Sequence, residues 1–114
     1  MVDKIVLNDG TEIKKGRIAV DFNKQILVII PGTDIVQATL TFSDPNKTEK
    51  MEFYRGITKT TYNGYTSIKS MSVRQEDNET NIYMIGENGS VDTEFTVPDI
   101  YLPEEFRNGG NSDA

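Results

Sequence analysis

The sequence contains no cysteine and no histidine. Without cysteine the chain can form neither disulfides nor thiolate metal sites, and the redox state of its compartment is left open. Without histidine it lacks the commonest general base and the commonest zinc ligand. We therefore expect no catalytic residues, no cofactor and no metal, and an enzyme is disfavoured.

Long apolar runs are also missing. The longest extends from Ile26 to Pro31 and is far too short to cross a bilayer. The first ten residues, MVDKIVLNDG, lack the charged-then-apolar layout of a signal peptide. We expect a cytoplasmic protein, or one assembled into a particle there, without membrane contact.

Positive charge is scarce relative to negative charge. The 114 residues include 12 Lys and Arg interspersed with 18 Asp and Glu, which gives a net charge of −6. A nucleic-acid surface needs clustered basic residues, so we expect no nucleic-acid partner. A hydrophobic content of 36% beside 26% charged residues favours one domain with a modest core and a sheet that has one face in water.

Motifs that resemble chemical sites are better explained as turns and strands. From Asp44 onwards oxygen-bearing side chains alternate as in a calcium loop, but Glu49 replaces the required glycine and Arg55 the bidentate glutamate. The acidic run Gln75–Glu79 is typical of a solvated hairpin loop. No glycine-rich phosphate loop occurs. The alternation of a strand accounts for the nucleophile-like group Ser67, Lys69 and Ser70.

Turn signals between short alternating runs predict an antiparallel sheet. We predict hairpins at Asn8-Asp9-Gly10, Asn23-Lys24 and Asn63-Gly64. In the last of these, Tyr62 and Tyr65 are expected to face each other across two paired strands. The predicted fold class is mainly β, a small single-domain antiparallel sheet that is barrel-like or a sandwich.

Later runs complete this sheet. Gln25–Ile30 lacks polar alternation, so we predict a central strand buried on both faces. Thr80–Ile85 is expected to pair antiparallel with Ser67–Val73, and a hairpin-like turn at Glu87–Ser90 to lead into Val91–Val97. The predicted core consists of Ile5, Leu7, Ile18, Val20, Leu27, Ile29, Leu40, Phe42, Phe53, Ile68, Met71, Ile82, Met84 and Phe95.

The segment Asp34–Ser43 fits two structures. A strand would have a period of two, with Val36, Ala38, Leu40 and Phe42 on one face. A helix would begin with Thr33 or Asp34 as its N-cap and group Ile35, Ala38, Thr39 and Phe42 on one side. Propensity favours the strand. The fold class therefore keeps an α+β alternative with one short helix near residues 34–43.

The C-terminal stretch differs in character. Pro98 and Pro103 bracket Asp99–Phe106, and neither can sit in a central strand, so we expect an extended arm. Residues 1–106 then form one β-rich domain that includes this arm (99–106), and 107–114 have the composition of a disordered tail.

Five tyrosines offer either cross-strand packing or contact area. The possible protein-contact residues are Tyr62, Tyr65, Ile100, Tyr101, Leu102 and Phe106.

Three quoted stretches resemble small accessory proteins of tailed phages and prophages of Gram-positive bacteria. They are the opening KIVLNDGTEI, the middle FSDPNKT and the later YNGYTSIKSMSV, and the resemblance covers roughly residues 3–86. It implies a helix before the Ser-Asp-Pro turn, which Thr39 and Thr41 make less favourable. It also implies a virion-associated or host-modulating role, and it carries over no functional residue.

Two classes of function follow from this resemblance and the composition. The first is a structural or assembly protein of the virion, associated with the tail, whose partners are copies of itself or neighbouring virion proteins. The second is an acidic inhibitor of a host defence or regulatory protein. A small hydrolase is a more distant third. The expected location is the host cytoplasm, or the virion for a structural protein.

Overall fold

Two antiparallel sheets make up most of the fold. A computed structural model describes residues 3–20 and 24–95, except for the side chain of Val20. The elements in this part of the chain are β1 (Lys4–Leu7), β2 (Glu12–Lys14), β3 (Arg17–Val20), β4 (Gln25–Pro31), α1 (Ile35–Phe42), α2 (Pro45–Thr48), β5 (Lys50–Arg55), β6 (Thr58–Asn63), β7 (Ser67–Arg74), β8 (Glu79–Ile85) and β9 (Ser90–Phe95).

The strand order confirms a mainly β fold. One sheet has five strands in the order β2-β1-β5-β6-β9, and the other has four in the order β3-β4-β8-β7. Neither sheet closes into a barrel. Apolar side chains of both sheets and of α1 form a single core, since a sheet with one apolar face must bury it against another layer.

The first predicted hairpin is confirmed. β1 pairs antiparallel with β2, and Gly10 turns the chain with a φ of +92°. The turn also packs on α2, because the Asn8 N–H donates to the Lys47 carbonyl oxygen at 2.9 Å. The Lys47 ammonium forms an ion pair with Asp9, 2.6 Å away. A local signal in the sequence thus becomes a tertiary contact.

The second hairpin is confirmed in its strands. β3 pairs antiparallel with β4, with Ile18 opposite Val28. Lys24 has a left-handed φ of +62°, as a tight turn requires of one of its residues. Asn23 lies outside the described residues.

The prediction of a hairpin at Asn63-Gly64 is wrong. β6 pairs with β5 and β9, and at Gly64 the chain leaves the five-stranded sheet to enter β7 of the other sheet. The hairpin lies earlier, where Arg55 pairs with Thr58 around a two-residue loop whose first residue, Gly56, has a φ of +59°. A glycine at that position suits a two-residue hairpin. Turn residues therefore mark where the chain turns without deciding which strand pairs next.

Of the two predictions for the strands after Gly64, the pairing is confirmed and the hairpin is wrong. β7 pairs antiparallel with β8 as predicted, with a bulge between Ile68 and Ser70. The turn at Glu87–Ser90 also exists, but it is not a hairpin, because β9 pairs with β6 of the other sheet instead of with β8.

The segment before the Ser-Asp-Pro turn is a helix, so the strand interpretation is wrong and the helix alternative is confirmed. The Asp34 carboxylate caps α1 by accepting a hydrogen bond from the Gln37 N–H at 3.0 Å. Ala38 and Phe42 are buried. Leu40, predicted to be in the core, lies on the opposite side of the helix and is 63% exposed. The N-cap and the burial of Phe42 outweigh the β propensity of the threonines.

Half of the predicted core residues are buried, and the side chain of the predicted core residue Val20 lies outside the described residues. The predicted core residues that are buried are Ile5, Leu7, Ile18, Phe42, Phe53, Ile82 and Met84. Ile68 and Met71 are half-buried against this core. Phe95 is exposed, because the sheet ends at β9 and the side chains of that strand are in solvent.

The phase of the central strand differs from the prediction. Ile26 and Val28 are the buried residues of β4, whereas Leu27 and Ile29 are half-buried on its other face. An uninterrupted apolar run carries no alternation, so it cannot indicate which face meets the core.

Candidate protein-contact site

Tyr62 and Tyr65 lie in the core. Each is only 4% exposed, and their rings meet edge to face with centroids 6.3 Å apart. The Tyr65 ring also packs on Gly89, where a Cβ atom would come within 2.7 Å of it. These contacts are packing contacts within the core, which was the alternative to a binding role for the tyrosines. The other predicted contact residues, Ile100, Tyr101, Leu102 and Phe106, lie outside the described residues, as does the predicted arm.

The Tyr62 hydroxyl has a defined partner. It donates to the Ile18 carbonyl oxygen at 3.3 Å, from β6 of one sheet to β3 of the other. Burial raises the pKa of Tyr62 above its ordinary value, with the neighbouring Tyr65 as a smaller cause. A phenol held in its neutral form inside the core suits a structural role.

The residues weighed as chemical sites have ordinary partners. Asp44 caps α2 by accepting from the Asn46 N–H at 3.0 Å. Lys69 donates to Gln25 at 3.0 Å, and in the acidic loop Asp77 pairs with Arg74 at 3.1 Å. Within residues 3–20 and 24–95 no three acidic side chains come together as metal ligands. Nor does that part of the chain contain a helix long and apolar enough to span a membrane.

The outer side of α1 is unusual for a surface helix. Its sequence IVQATLTF contains no charged residue. Val36 is 67% exposed and Leu40, one turn later, is 63% exposed, and we call these two residues the α1 ridge. A surface helix normally carries polar and charged side chains on its solvent side. Two large aliphatic side chains in that position contribute nothing to the core, so they are candidates for an intermolecular contact.

On another side of the same helix the structure has a cleft of about 190 Å³, the α1 cleft, whose lining includes neither Val36 nor Leu40. One wall is α1, and the others come from β2 and the turn before it, from the end of β4 and from the start of β8. Its apolar lining consists of Ile13, Ile30, Pro31, Ala38 and Phe42, and its polar lining of Thr11, Asp34, Gln37, Thr41 and Thr80.

The sequence builds this cleft by stopping β4 abruptly. Gly32 has a φ of +91°, a conformation that favours glycine, and it turns the chain towards the N-terminus of α1. The buried Thr80 hydroxyl donates to the Gly32 carbonyl oxygen at 2.8 Å, and the Gly32 N–H donates to the Asn78 carbonyl oxygen at 2.7 Å. These bonds hold the end of β4 against β8, so the wall of the cleft is fixed by backbone as well as by packing.

The rim of the cleft is polar and weakly acidic. Asp34 is the one charged residue among the described residues that line it. Its carboxylate already accepts from the Gln37 N–H, and the Gln37 side-chain amide donates to the Thr41 hydroxyl at 3.3 Å. The one carboxylate of this lining is engaged as the N-cap of α1, so the arrangement is suited to binding an apolar group.

The volume of the cleft limits what it can hold. Pockets for whole small-molecule ligands have volumes of roughly 300–1,000 Å³. An apolar cavity of about 150 Å³ is large enough for one benzene ring. The α1 cleft, at about 190 Å³, therefore fits a single aromatic or branched aliphatic side chain.

No family model, no curated protein and no solved structure matches this chain. Within the sequence itself one signal indicated the α1 ridge. If residues 34–43 form a helix, Val36 and Leu40 are four positions apart and fall opposite Ala38 and Phe42. The strand interpretation does not predict this ridge, because in a strand Val36 and Leu40 lie on the same face as Ala38 and Phe42.

Proposed function

We propose that this protein is a non-enzymatic assembly protein of a phage particle, associated with the tail, and that it works through protein–protein contacts. The observation that carries the proposal is the uncharged helix α1, which exposes an apolar ridge on one side and lines a one-side-chain cleft on another. The resemblance to phage accessory proteins supports it.

The contact we propose has two parts, the α1 ridge and the α1 cleft. The surface of the neighbouring protein covers Val36 and Leu40 and extends around α1, where it inserts one apolar side chain into the α1 cleft. Full burial of a single large aliphatic side chain is worth about 1.5–3 kcal/mol, so three such groups can anchor an interface whose rim contributes little. The neighbouring surface carries a cation near its apolar anchor, because Asp34 lies on the cleft rim and the whole chain has a net charge of −6.

The test combines two measurements on charge-matched variants. V36D/L40D places two acids on the ridge, and S67D/S72D places two acids on exposed positions of β7. We expect V36D/L40D to be missing from purified particles and S67D/S72D to be incorporated like the wild type, with unchanged circular dichroism spectra for both. The direct measurement is binding of each variant to the individual virion proteins encoded beside its gene.

Two results would refute the proposal. Incorporation of V36D/L40D at the wild-type level would show that the ridge is not a contact. Absence of the wild-type protein from particles, together with binding to a host protein, would instead favour the acidic inhibitor, whose support is the net negative charge alone.

A further inference from the structure

The edge strand β9 is open on one side in the described structure. Its six residues pair with β6 in an unbroken register, from Ser90 opposite Asn63 to Phe95 opposite Thr58. β9 is the last strand of the five-stranded sheet, so its second row of backbone donors and acceptors has no partner among the described residues. Such a row is a template for another strand.

The other three edges are less suited to accept a strand. β2 and β3 have only three and four residues. β7 is longer, but its pairing is interrupted by a bulge between Ile68 and Ser70, and Lys69 sits at that bulge. Short length, bulges and edge lysines are the usual protections of an edge strand. β9 has none of the three.

The two faces of β9 have different chemistry. Val91 lies opposite the buried Tyr62, so Val91, Thr93 and Phe95 share the core-side face. Phe95 is 69% exposed, and the neighbouring Ile57 in the β5–β6 turn is also exposed. An added strand could therefore bury apolar side chains there, on an extension of the core.

The opposite face of β9 is acidic. Asp92 and Glu94 point away from the core, and the cross-strand partner of Glu94 is Lys59. That lysine is already 3.5 Å from Glu52, and the pKa of Lys59 is raised first by Glu52 and then by Glu94. Asp92 forms no ion pair within the described part of the chain. The edge therefore carries more negative charge than its own sheet neutralises.

These acids decide which strand can be added. Directly opposite residues of antiparallel strands point to the same face. A second copy of β9 that overlaps most of the strand would therefore place Asp92 opposite either Asp92 or Glu94 of its partner. Like charges in that position are destabilising. The chain's own residues 96–106 contain three acids and no base, so they are poorly matched for the same reason.

We propose that β9 accepts an extended segment of a partner protein in which basic residues alternate with apolar ones. The basic residues lie opposite Asp92 and Glu94, and the apolar residues cover Val91 and Phe95. This site is independent of the α1 ridge and cleft, so either proposal can fail without the other.

The probe is a pair of synthetic peptides, one with alternating lysine and valine and one with alternating glutamate and valine. Amide hydrogen exchange of the full-length protein is measured with each. The lysine peptide is expected to slow exchange of the outward amides of Ser90–Phe95, and the glutamate peptide to have no effect. The D92K/E94K variant is expected to bind the glutamate peptide more tightly than the lysine peptide. The two changed cross-strand pairs should make the dissociation constants differ by at least about two-fold.

The matched control is E76K/D77K, which changes the net charge equally at two exposed positions of the β7–β8 turn in the other sheet. It is expected to keep the wild-type preference. Equal loss of lysine-peptide binding in this control would reduce the effect to long-range attraction and overturn the proposal. Slow exchange of the outward β9 amides already in the free protein would also overturn it, because the edge would then be occupied by the chain itself or by a second copy.

Discussion

The hydroxyl of Tyr62 donates a hydrogen bond to the carbonyl oxygen of Ile18, 3.3 Å away, and joins the two sheets through the core. A buried carbonyl oxygen without a donor is costly, so this contact fixes how the sheets pack as well as adding to stability. Tyr62→Phe should lower the free energy of unfolding by about 1 kcal/mol. Urea titration measures it. Tyr83→Phe, at a half-buried tyrosine of β8 on the outer side of its sheet, is the control and should change little.

The same tyrosine gives a prediction at alkaline pH. Burial raises the folded-state pKa of Tyr62 above the value of about 10 that it has in the unfolded chain. Its contribution to stability is therefore complete below about pH 10 and is lost as the pH rises through the folded-state pKa. Urea midpoints measured from pH 8 to 11 should fall more steeply above pH 10 in the wild type than in Tyr62→Phe. Equal slopes would contradict the burial of this phenol.

The exposed ion pair between Asp9 and Lys47 gives a prediction for stability at acidic pH. The Lys47 ammonium, together with hydrogen bonds from Thr11, holds the pKa of Asp9 well below its ordinary range. A depressed pKa stabilises the folded state above the ordinary aspartate value of about 4, and this stabilisation is lost as the pH falls further. Asp9→Asn should therefore flatten the loss of stability below about pH 4. Lys47→Met, which removes the partner ammonium, should flatten the slope in the same way.

Gly89 is predicted to resist substitution. A Cβ atom there would lie 2.7 Å from the ring of the buried Tyr65. The ring cannot move far in a packed core, so Gly89→Ala should cost about 1–3 kcal/mol of stability. Thermal unfolding followed by circular dichroism measures the loss, with the exposed neighbour as control in Ser90→Ala. A Gly89→Ala protein that melts like the wild type would mean that Tyr65 has room to shift.

Asn81 is a position at which a substitution is predicted to stabilise the protein. This residue of β8 is buried, and its side-chain oxygen has no hydrogen-bond partner in the described structure. Removing an unsatisfied buried polar group favours the folded state, so Asn81→Val should raise the free energy of unfolding by about 1 kcal/mol. Part of any gain comes from the β propensity of valine. Ser72→Val, at the exposed position paired with Asn81, measures that part alone.

Deletion of residues 99–114 tests the predicted C-terminal arm. If its apolar side chains dock on the sheet, the melting temperature should fall, and if they dock on another copy, the mass in solution should fall as well. Light scattering and thermal unfolding of the full-length and shortened proteins separate these results. Unchanged mass and unchanged melting would mean that the arm docks nowhere.

Local chemistry in the sequence determined much of the fold. Alternating residues around Asn8-Asp9-Gly10 specify the first hairpin, because turn and strands are neighbours in the chain and need no other partner. The pairing of β7 with β8 follows for the same reason. The periodicity also located most of the core, since a strand with one face in water has only one way to place its apolar side chains.

The tertiary structure alone decided which strands meet across longer distances. The sequence predicts hairpins at Asn63-Gly64 and Glu87–Ser90, yet at both places the chain crosses between sheets. Both edges of β6 are occupied, by β5 and β9, and both edges of β8, by β4 and β7, so neither strand can pair with the one that follows it. The helix α1 was decided in the same way. Its threonines favour a strand in isolation, but the Asp34 cap and the burial of Phe42 stabilise the helix. The ridge, the cleft and the open edge of β9 follow from these choices, which depend on contacts between residues far apart in the sequence.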